Sequence, residues 1–296
     1  MTRKNIFQQM AHKHDFKSEV ARIDELMIHN RGILLQIRKI FSPENNKKSY
    51  SIIDFADKFS FKHWPQRGTS ISCSDMQSAL GLSAIANSNF YLSKDRLLAY
   101  IEYILNILHI VKNTKLPIEL SFTLTDVFDA VEGNVHEVMG WLNYDARVFE
   151  QQQKVLIFEK DQAVNAVVEV VDEDLAYSIV QYNHHSTIGN IEKKKSIHYK
   201  LGKELEPKRA EIRSINKDLE DDIFFILNNL NIRHNNTALG DKYYKAIVAS
   251  MSNKELEYWY DELFQMELLA FLELNQITRN KKVKDLKSRI DEGDSV

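Results

Sequence analysis

The sequence predicts a mainly α-helical protein, and three observations support this prediction. Only 9 of the 296 residues are glycine and 4 are proline, which is too few for a chain of short strands joined by tight turns. Hydrophobic residues make up 44% of the chain, enough to fill real cores. Most long apolar stretches repeat at helical spacing. We therefore expect a helical N-terminal region, one small β-hairpin and a C-terminal helical bundle.

The chain is long enough for two or three compact units. We expect a helical N-terminal domain over residues 1–118 and a mixed helical and hairpin segment over residues 119–190. A helical bundle over residues 191–277 and a charged tail over residues 278–296 follow. The tail contains few apolar residues, so we expect a frayed helix or disordered chain there.

Composition restricts the function and the location of the protein. The net charge is -3, which gives no global field that would attract nucleic acid or a membrane. The single cysteine, Cys73, excludes an intramolecular disulfide and a Cys-rich zinc site. No signal peptide is visible, and the longest apolar stretch, broken by Glu102 and Asn106, is too short to span a bilayer. We expect a cytoplasmic protein with no membrane association, no metal and no cofactor.

The first predicted helix covers residues 17–40, where apolar residues repeat at helical spacing. Ser18 is its expected cap, and the pair Arg31-Gly32 is a weak point in the pattern. Residues 42–49 are polar and predict a loop. The apolar positions of this helix are Val20, Ile23, Met27, Leu34, Ile37 and Ile40.

Two further helices are predicted before the hairpin. Residues 95–114 are strongly apolar and begin after Ser93, a typical capping residue. This helix is expected to stop before Pro117, because the residue before a proline disfavours helical geometry. Residues 124–142 predict one or two short helices around Gly133.

The hairpin is predicted near residues 147–158, where β-prone VF and VLIF runs lie on either side of three glutamines. If the second run is a strand, Val155 and Ile157 face the same side and share the same burial. Asp161 and Asp172 then precede two apolar segments. An acidic side chain accepts the free amide protons of a first helical turn, so both are expected caps.

Three helices make up the predicted bundle. A charged helix covers residues 191–215 and is interrupted by Pro207, which removes a backbone donor and clashes with the preceding turn. An apolar helix follows over residues 218–232, and a long helix with a wide apolar face covers residues 253–277. That wide face needs cover, so we expect a homo-oligomer or a protein complex.

A polar cluster directly follows the apolar helix of the bundle: Arg233, His234, Asn235 and Asn236. One interpretation is a helix end, because cations favour the last turn and asparagine tolerates the left-handed conformation that stops a helix. The other interpretation is a functional site. A guanidinium, an imidazole and two carboxamides can hold a phosphate and move a proton beside it.

The arrangement of residues 191–277 resembles the small helical HEPN domains of abortive-infection, phage-defence and toxin ribonuclease proteins. In that family an Arg and a His lie several residues apart at a helix end, whereas here they are adjacent. The resemblance implies metal-independent RNA cleavage, usually in a dimer. It also implies that Arg233 holds the scissile phosphate and His234 transfers a proton, while Asn235 and Asn236 orient them.

A second basic feature precedes the cluster. Lys193, Lys194 and Lys195 make a basic side on the charged helix and are weak candidates for phosphate binding, and RNA is the corresponding partner. Acidic residues are interleaved with the lysines, so an exposed salt-bridged face is the alternative. For the whole protein, the alternative to a nuclease is a non-catalytic helical regulator, adaptor or assembly subunit that binds a protein partner.

Overall fold

The computed structural model describes residues 15–37, 46–83 and 92–293. Helices predominate, which confirms the predicted mainly α class. The chain divides into two compact units, Met1–Glu159 and Lys160–Val296. This division falls inside the predicted segment 119–190, whereas the predicted bundle lies wholly within the second unit. Within the described residues, no helix is both long enough and apolar enough to cross a membrane.

The first helix is shorter than the sequence predicts. Helix α1 spans Phe16–Ile28 and is capped by Asp15, whose carboxylate accepts the backbone N–H of Ser18, so Ser18 is not the cap. Strand β1 follows at Ile33–Ile37, and the prediction of one helix over residues 17–40 is wrong beyond Ile28. Gly32 lies between the two elements. A Cβ at this position would lie only 2.8 Å from Cγ1 of Ile52, so glycine fits there and a larger residue does not. Ile40 lies outside the described residues.

Strand β1 is the centre of a three-stranded antiparallel sheet that the sequence did not predict. Strands β2 (Asn46–Tyr50) and β3 (Leu120–Leu124) flank it in the order β2-β1-β3. Ile33 is opposite Tyr50 in one pair and Leu124 in the other. The predicted loop over residues 42–49 is therefore wrong from Asn46 onward, because strand pairing overrides the low β-propensity of these polar residues.

Short elements connect this sheet to the central helix of the first unit. Helix α2 (Ile52–Phe55) continues into a π-helical turn, and two 3-10 turns and helix α3 (Cys73–Ala79) follow. Helix α4 spans Lys94–Lys112 with Ser93 as its cap, close to the predicted range of residues 95–114. Its buried residues lie on nearly every side, which is typical of a core helix.

The hairpin is confirmed. Helix α5 (Asp126–Leu142) is one continuous helix that ends at Asn143 in the left-handed conformation, with φ 61°. Strands β4 (Tyr144–Phe149) and β5 (Lys154–Glu159) then pair antiparallel. Val155 and Ile157 share the same burial, as predicted: both are buried, and so are Leu156 and Phe158 on the opposite face of β5.

Two sets of side chains hold the hairpin in the first unit. At the turn, the indole N–H of Trp64 donates to the backbone oxygen of Gln153 at 2.8 Å, and Gln153 has φ 47°. Along β5, the Asn106 side chain accepts the N–H of Val155 at 2.9 Å and donates to its C=O at 2.8 Å. Glu102 accepts the N–H of Ile157 at 3.0 Å. Side chains of α4 thus satisfy the edge of β5 that β4 does not cover.

Helices and the loops between them make up the second unit, with no strand among its described residues. Asp161 caps α6 (Gln162–Val168) and Asp172 caps α7 (Glu173–Tyr182), as predicted. Pro207 lies in a 3-10 turn between α8 (Ile191–Leu205) and α9 (Arg209–Ile215), which confirms the predicted interruption. The remaining helices are α10 Lys217–Asn229, α11 Ala246–Ser250 and α12 Asn253–Gly293.

Two helix ends in the second unit differ from the prediction. Helix α10 ends at Asn229, whereas the sequence predicted helix through residue 232. Helix α12 continues to Gly293, through most of the tail that was expected to be frayed or disordered. Oppositely charged residues four positions apart, such as Lys281 and Asp285, stabilise this part of the helix, where few apolar residues are buried.

Candidate functional site

The polar cluster at residues 233–236 lies in the loop between α10 and α11. After α10 ends, Asn231 adopts the left-handed conformation with φ 58°. The backbone N–H of Arg233 then donates to the C=O of Leu227 at 3.0 Å, so the chain folds back on the helix end. The cluster is therefore outside the last helical turn. The helix-end interpretation needs correction, because the left-handed residue that stops the helix is Asn231.

Arg233 points at the C-terminal turn of α8. Its Nη2 donates to the backbone oxygen of Gly202 at 2.9 Å and contacts Oε2 of Glu206 at 2.7 Å. Its guanidinium carbon lies 5.1 Å from the centre of the Phe224 ring. A Cβ at Gly202 would lie 2.7 Å from Cδ1 of Leu227, so glycine permits this close packing. Arg233 links α8 to α10.

His234 has a different set of neighbours. Its ring stacks on Tyr243, with centroids 3.8 Å apart and an interplanar angle of 14°. Nζ of Lys242 lies 4.5 Å from the centre of the same Tyr243 ring. The contact with Tyr243 raises the pKa of Lys242. His234, Tyr243 and Lys242 form a small group at the surface of the loop, which we call the His234 group.

The two asparagines shape the loop. Oδ1 of Asn235 accepts the backbone N–H of Thr237 at 3.4 Å, as in an Asx turn, and that of Ala238 at 3.1 Å. Asn236 is 1% exposed, and its Oδ1 accepts the N–H of Asn231 while its Nδ2 donates to the C=O of Tyr243, both at 2.8 Å. Asn236 thus joins the beginning and the end of the loop.

The structure does not gather the four predicted catalytic residues into one cleft. Arg233 packs against α8, His234 against Tyr243, and Asn235 and Asn236 bond to the backbone of their own loop. Within the described chain, no hydrogen bond joins Arg233 to His234. As the residues stand, they stabilise the fold of this loop.

The three predicted phosphate-binding lysines also diverge. Nζ of Lys193 lies 3.3 Å from Oγ of Ser186. Lys194 is 4% exposed, and its Nζ contacts Asp261 at 2.5 Å and Glu257 at 2.9 Å. Lys195 is half-buried. Lys194 is thus held by two carboxylates of α12, which leaves the three ammonium groups without a common anion site.

A buried ionic network that sequence reasoning missed joins α7, α8 and α12. Nδ1 of His198 lies 2.8 Å from Oε2 of Glu267, and both side chains are fully buried. Nε2 of His198 lies 3.3 Å from the hydroxyl of Tyr182, which donates to Asp261 at 2.8 Å. Lys194 completes the network through Asp261. The sequence signal was the spacing of four between Lys194 and His198, which puts both on one face of α8.

The network is enclosed, and this limits what it can do. Burial raises the pKa of Glu267, while the neighbouring His198 and Arg233 lower it. Because neither Glu267 nor His198 is accessible to solvent, they cannot touch a substrate. Within the ranges that the structure describes, no group of three or more His, Cys, Asp or Glu side chains could hold a metal ion. The network therefore holds helices α7, α8 and α12 together.

The first unit contains an open cleft of about 500 Å³ that the sequence did not indicate. His109 lines it, and its Nε2 lies 4.0 Å from Oε2 of Glu150. Burial lowers the pKa of His109, an effect that Glu150 opposes and Lys112 reinforces. Other lining residues include Phe59, His63, Trp64 and Lys115. The cleft has the size of a small-molecule site, with polar groups on an aromatic wall.

The last part of α12 exposes apolar side chains. Every residue from Thr278 to Asp291 is exposed. Val283, Leu286 and Ile290 are 48%, 52% and 54% exposed and are spaced by three and four residues, so they share one helix face. We call these three residues the α12 stripe. An uncovered apolar face of this kind is a candidate contact surface.

Comparison with known proteins gives no match: no family model, no curated protein and no solved structure matches the chain. The resemblance to HEPN domains therefore stays a prediction.

Proposed function

We propose that the protein is a non-catalytic helical adaptor, regulator or assembly subunit, and that its contact surface includes the end of α12. One observation carries the proposal: α12 continues to Gly293 while its side chains from Thr278 to Asp291 are exposed, and this region still carries the α12 stripe. A helix with one apolar face is expected to place that face against another surface.

The polar groups of the second unit support the same proposal. Arg233, Lys194 and His198 are engaged by Glu206, Asp261 and Glu267, respectively, at 2.5 to 2.8 Å. These contacts hold helices together and leave these three side chains engaged within the chain. A bundle whose buried charges fix its own helices is suited to present a rigid surface.

The proposal is tested by measuring the size of the tagged full chain in extracts of the organism that makes it. We expect a complex larger than one chain on gel filtration, and we expect Val283→Asp with Leu286→Asp to reduce its amount. Ser288→Asp, on the opposite face of α12, is the matched control and should leave the complex intact. A chain that elutes as a monomer in extracts would contradict the proposal.

Metal-independent RNA cleavage, in phage defence or as a toxin, is the second candidate function, and the His234 group favours it. An imidazole, a phenol and an ammonium lie together at the surface of the loop, with Tyr243 37% exposed. Groups of this kind can transfer protons and hold a phosphate. Arg233 could join them only by releasing Glu206.

This second candidate is tested by incubating the full chain with labelled RNA in the presence of a chelator. If the chain cleaves RNA at the His234 group, His234→Ala removes cleavage and barely changes the melting temperature. His29→Ala, at an exposed histidine of the first unit, is the control and should retain full activity. Intact RNA after incubation with the unmodified chain, or equal cleavage by His234→Ala, would reject the candidate.

A further inference from the structure

The α12 stripe belongs to a longer heptad pattern. Continuing the spacing of three and four residues toward the N-terminus of α12 reaches Leu269, which is 45% exposed. Seams with this spacing are typical of helices that pair with another helix along their length. The positions of the seam are Leu269, Leu272, Gln276, Arg279, Val283, Leu286 and Ile290, and Gln276 and Arg279 are polar interruptions between its two apolar parts.

The charges beside the stripe have one sign. Lys282 directly precedes Val283, Lys287 directly follows Leu286, and Arg289 directly precedes Ile290. These are the positions that flank a heptad seam, where charge decides which helix pairs. Asp285 and Asp291 lie outside the seam and its flanking positions, four residues from Arg289 and Lys287, respectively. The face that would meet a partner is therefore apolar with cationic borders.

A second copy of the chain does not suit this face. In a parallel pair, Lys282 of one copy would lie opposite Lys287 of the other, and an antiparallel pair also places cations opposite cations. Like charges in such positions disfavour pairing. A membrane surface is also disfavoured, since the stripe has no aromatic residue and only three aliphatic ones. RNA would need no apolar stripe.

We infer that the end of α12 binds an amphipathic helix of a partner protein whose aliphatic seam is bordered by Glu or Asp. This inference rests on the proposed function and adds the chemistry of the partner. The attraction between the cationic borders and the acidic borders selects the partner, and burial of the α12 stripe against its seam supplies most of the affinity.

The experiment uses the purified full chain and two labelled synthetic peptides of three heptads. Both peptides have Ile and Leu along the seam; one has Glu at the flanking positions and the other has Lys. We expect the full chain to bind the Glu peptide and not the Lys peptide, with affinity that falls as salt rises. Val283→Asp with Leu286→Asp should weaken binding by about tenfold or more, because apolar burial is lost. Ser288→Asp should leave it unchanged.

A charge-reversed variant makes the test specific. Lys282→Glu, Lys287→Glu and Arg289→Glu together should transfer binding from the Glu peptide to the Lys peptide. The inference is overturned if both peptides bind equally, or if reversal leaves the preference unchanged. It is also overturned if the α12 stripe mediates self-association, or binding to phosphatidylserine vesicles or single-stranded RNA, in place of peptide binding.

The two proposals fail in distinguishable ways. If extracts contain a complex that Val283→Asp with Leu286→Asp removes, but the Glu peptide does not bind, the proposed function stands and the acidic partner is wrong. If extracts contain no complex, the proposed function itself is wrong.

Discussion

At the scale of single residues, the pair of His198 and Glu267 is the most consequential feature of the second unit. Both side chains are fully buried, and Nε2 of His198 lies 3.3 Å from the hydroxyl of Tyr182, which donates to Asp261. Removing one member of such a pair leaves the other buried without its partner. Replacing both by apolar groups of similar size removes the need for either.

This reasoning predicts a non-additive effect on stability. His198→Leu should lower the free energy of unfolding by about 3–5 kcal/mol, because Glu267 loses its partner. Adding Glu267→Leu to His198→Leu should restore most of that loss. Denaturant unfolding measures both, with the exposed Lys203→Leu on the same helix as a control. If the double variant is less stable than His198→Leu alone, the pair is stabilising in its own right and the argument is wrong.

A pH dependence follows from Asp24 in the first unit. Burial raises the pKa of Asp24 above 3.8, although the hydroxyl of Tyr100, at 2.5 Å, opposes the shift. A raised pKa in the folded state means that this carboxyl favours folding when protonated. Its contribution is present below its ordinary pKa and is lost as pH rises through the raised one.

We therefore expect Asp24→Asn to become relatively more stable as pH rises. The difference in unfolding free energy, unmodified chain minus Asp24→Asn, should fall as pH rises above the ordinary pKa of about 4 and through the raised pKa of Asp24. Denaturant unfolding at a series of pH values measures it. A difference that grows with pH would mean that the Tyr100 hydrogen bond outweighs the effect of burial.

The candidate site shows what residue types alone can predict. The segment 233–236 was found because polar side chains follow an apolar helix, and the structure places this segment in a loop. The partners of Arg233 are Gly202 and Glu206, about thirty residues earlier in the chain. No local pattern identifies such contacts, so the sequence could locate the segment but could not orient its side chains.

At the scale of elements, helix α4 shows why polar residues interrupt an apolar helix. Glu102 and Asn106 break its long apolar stretch, and both accept backbone N–H groups of β5. An unpaired strand edge in a core would leave backbone groups without partners. The two side chains therefore let a two-stranded hairpin pack its edge against a helix.

Replacing these side chains should lower the stability of the folded chain, because backbone groups of β5 lose their partners. Asn106→Leu leaves the N–H and C=O of Val155 unpaired, at about 1–3 kcal/mol for each buried group. Glu102→Gln keeps an acceptor for the N–H of Ile157 and should cost little stability. Glu102→Leu removes that acceptor and should cost more. Hydrogen exchange at the amides of Val155 and Ile157 reports each loss directly. Unchanged exchange in Asn106→Leu would show that another group satisfies the edge.

Elements with a strong local signal were predictable from the sequence, and elements that depend on distant pairing were not. Ser93 and the apolar run of α4 defined that helix, and Asp161 and Asp172 defined two helix starts. The strand at Ile33–Ile37 was read as helix, because its few apolar residues fit both periods. Only pairing with residues 46–50 and 120–124 decides in favour of the strand.

At the scale of the whole molecule, the chain is two units, and each buries its own apolar residues. The hydrophobic cluster of the first unit draws its buried residues from Phe16 to Ile157. In the second unit, Tyr182 of α7 stacks on Phe264 of α12, with ring centroids 4.0 Å apart. Helix α7 therefore packs on the bundle and α6 lies in the same unit, although the sequence assigned both to a separate middle segment.

This division predicts which fragments fold. Residues 160–296 expressed alone should be helical and unfold in one cooperative transition, because they keep α7 and the contacts of Tyr182. Residues 191–296, which begin at the boundary that the sequence suggested, lack α6 and α7 and expose the apolar surface of α8 and α12 that these helices cover. That shorter fragment should melt without cooperativity and bind a hydrophobic dye. Circular dichroism and calorimetry on the two fragments decide between the boundaries. A cooperative transition in the shorter fragment would place the division at residue 191. Loss of folding in the longer fragment would show that the second unit needs the first unit in order to fold.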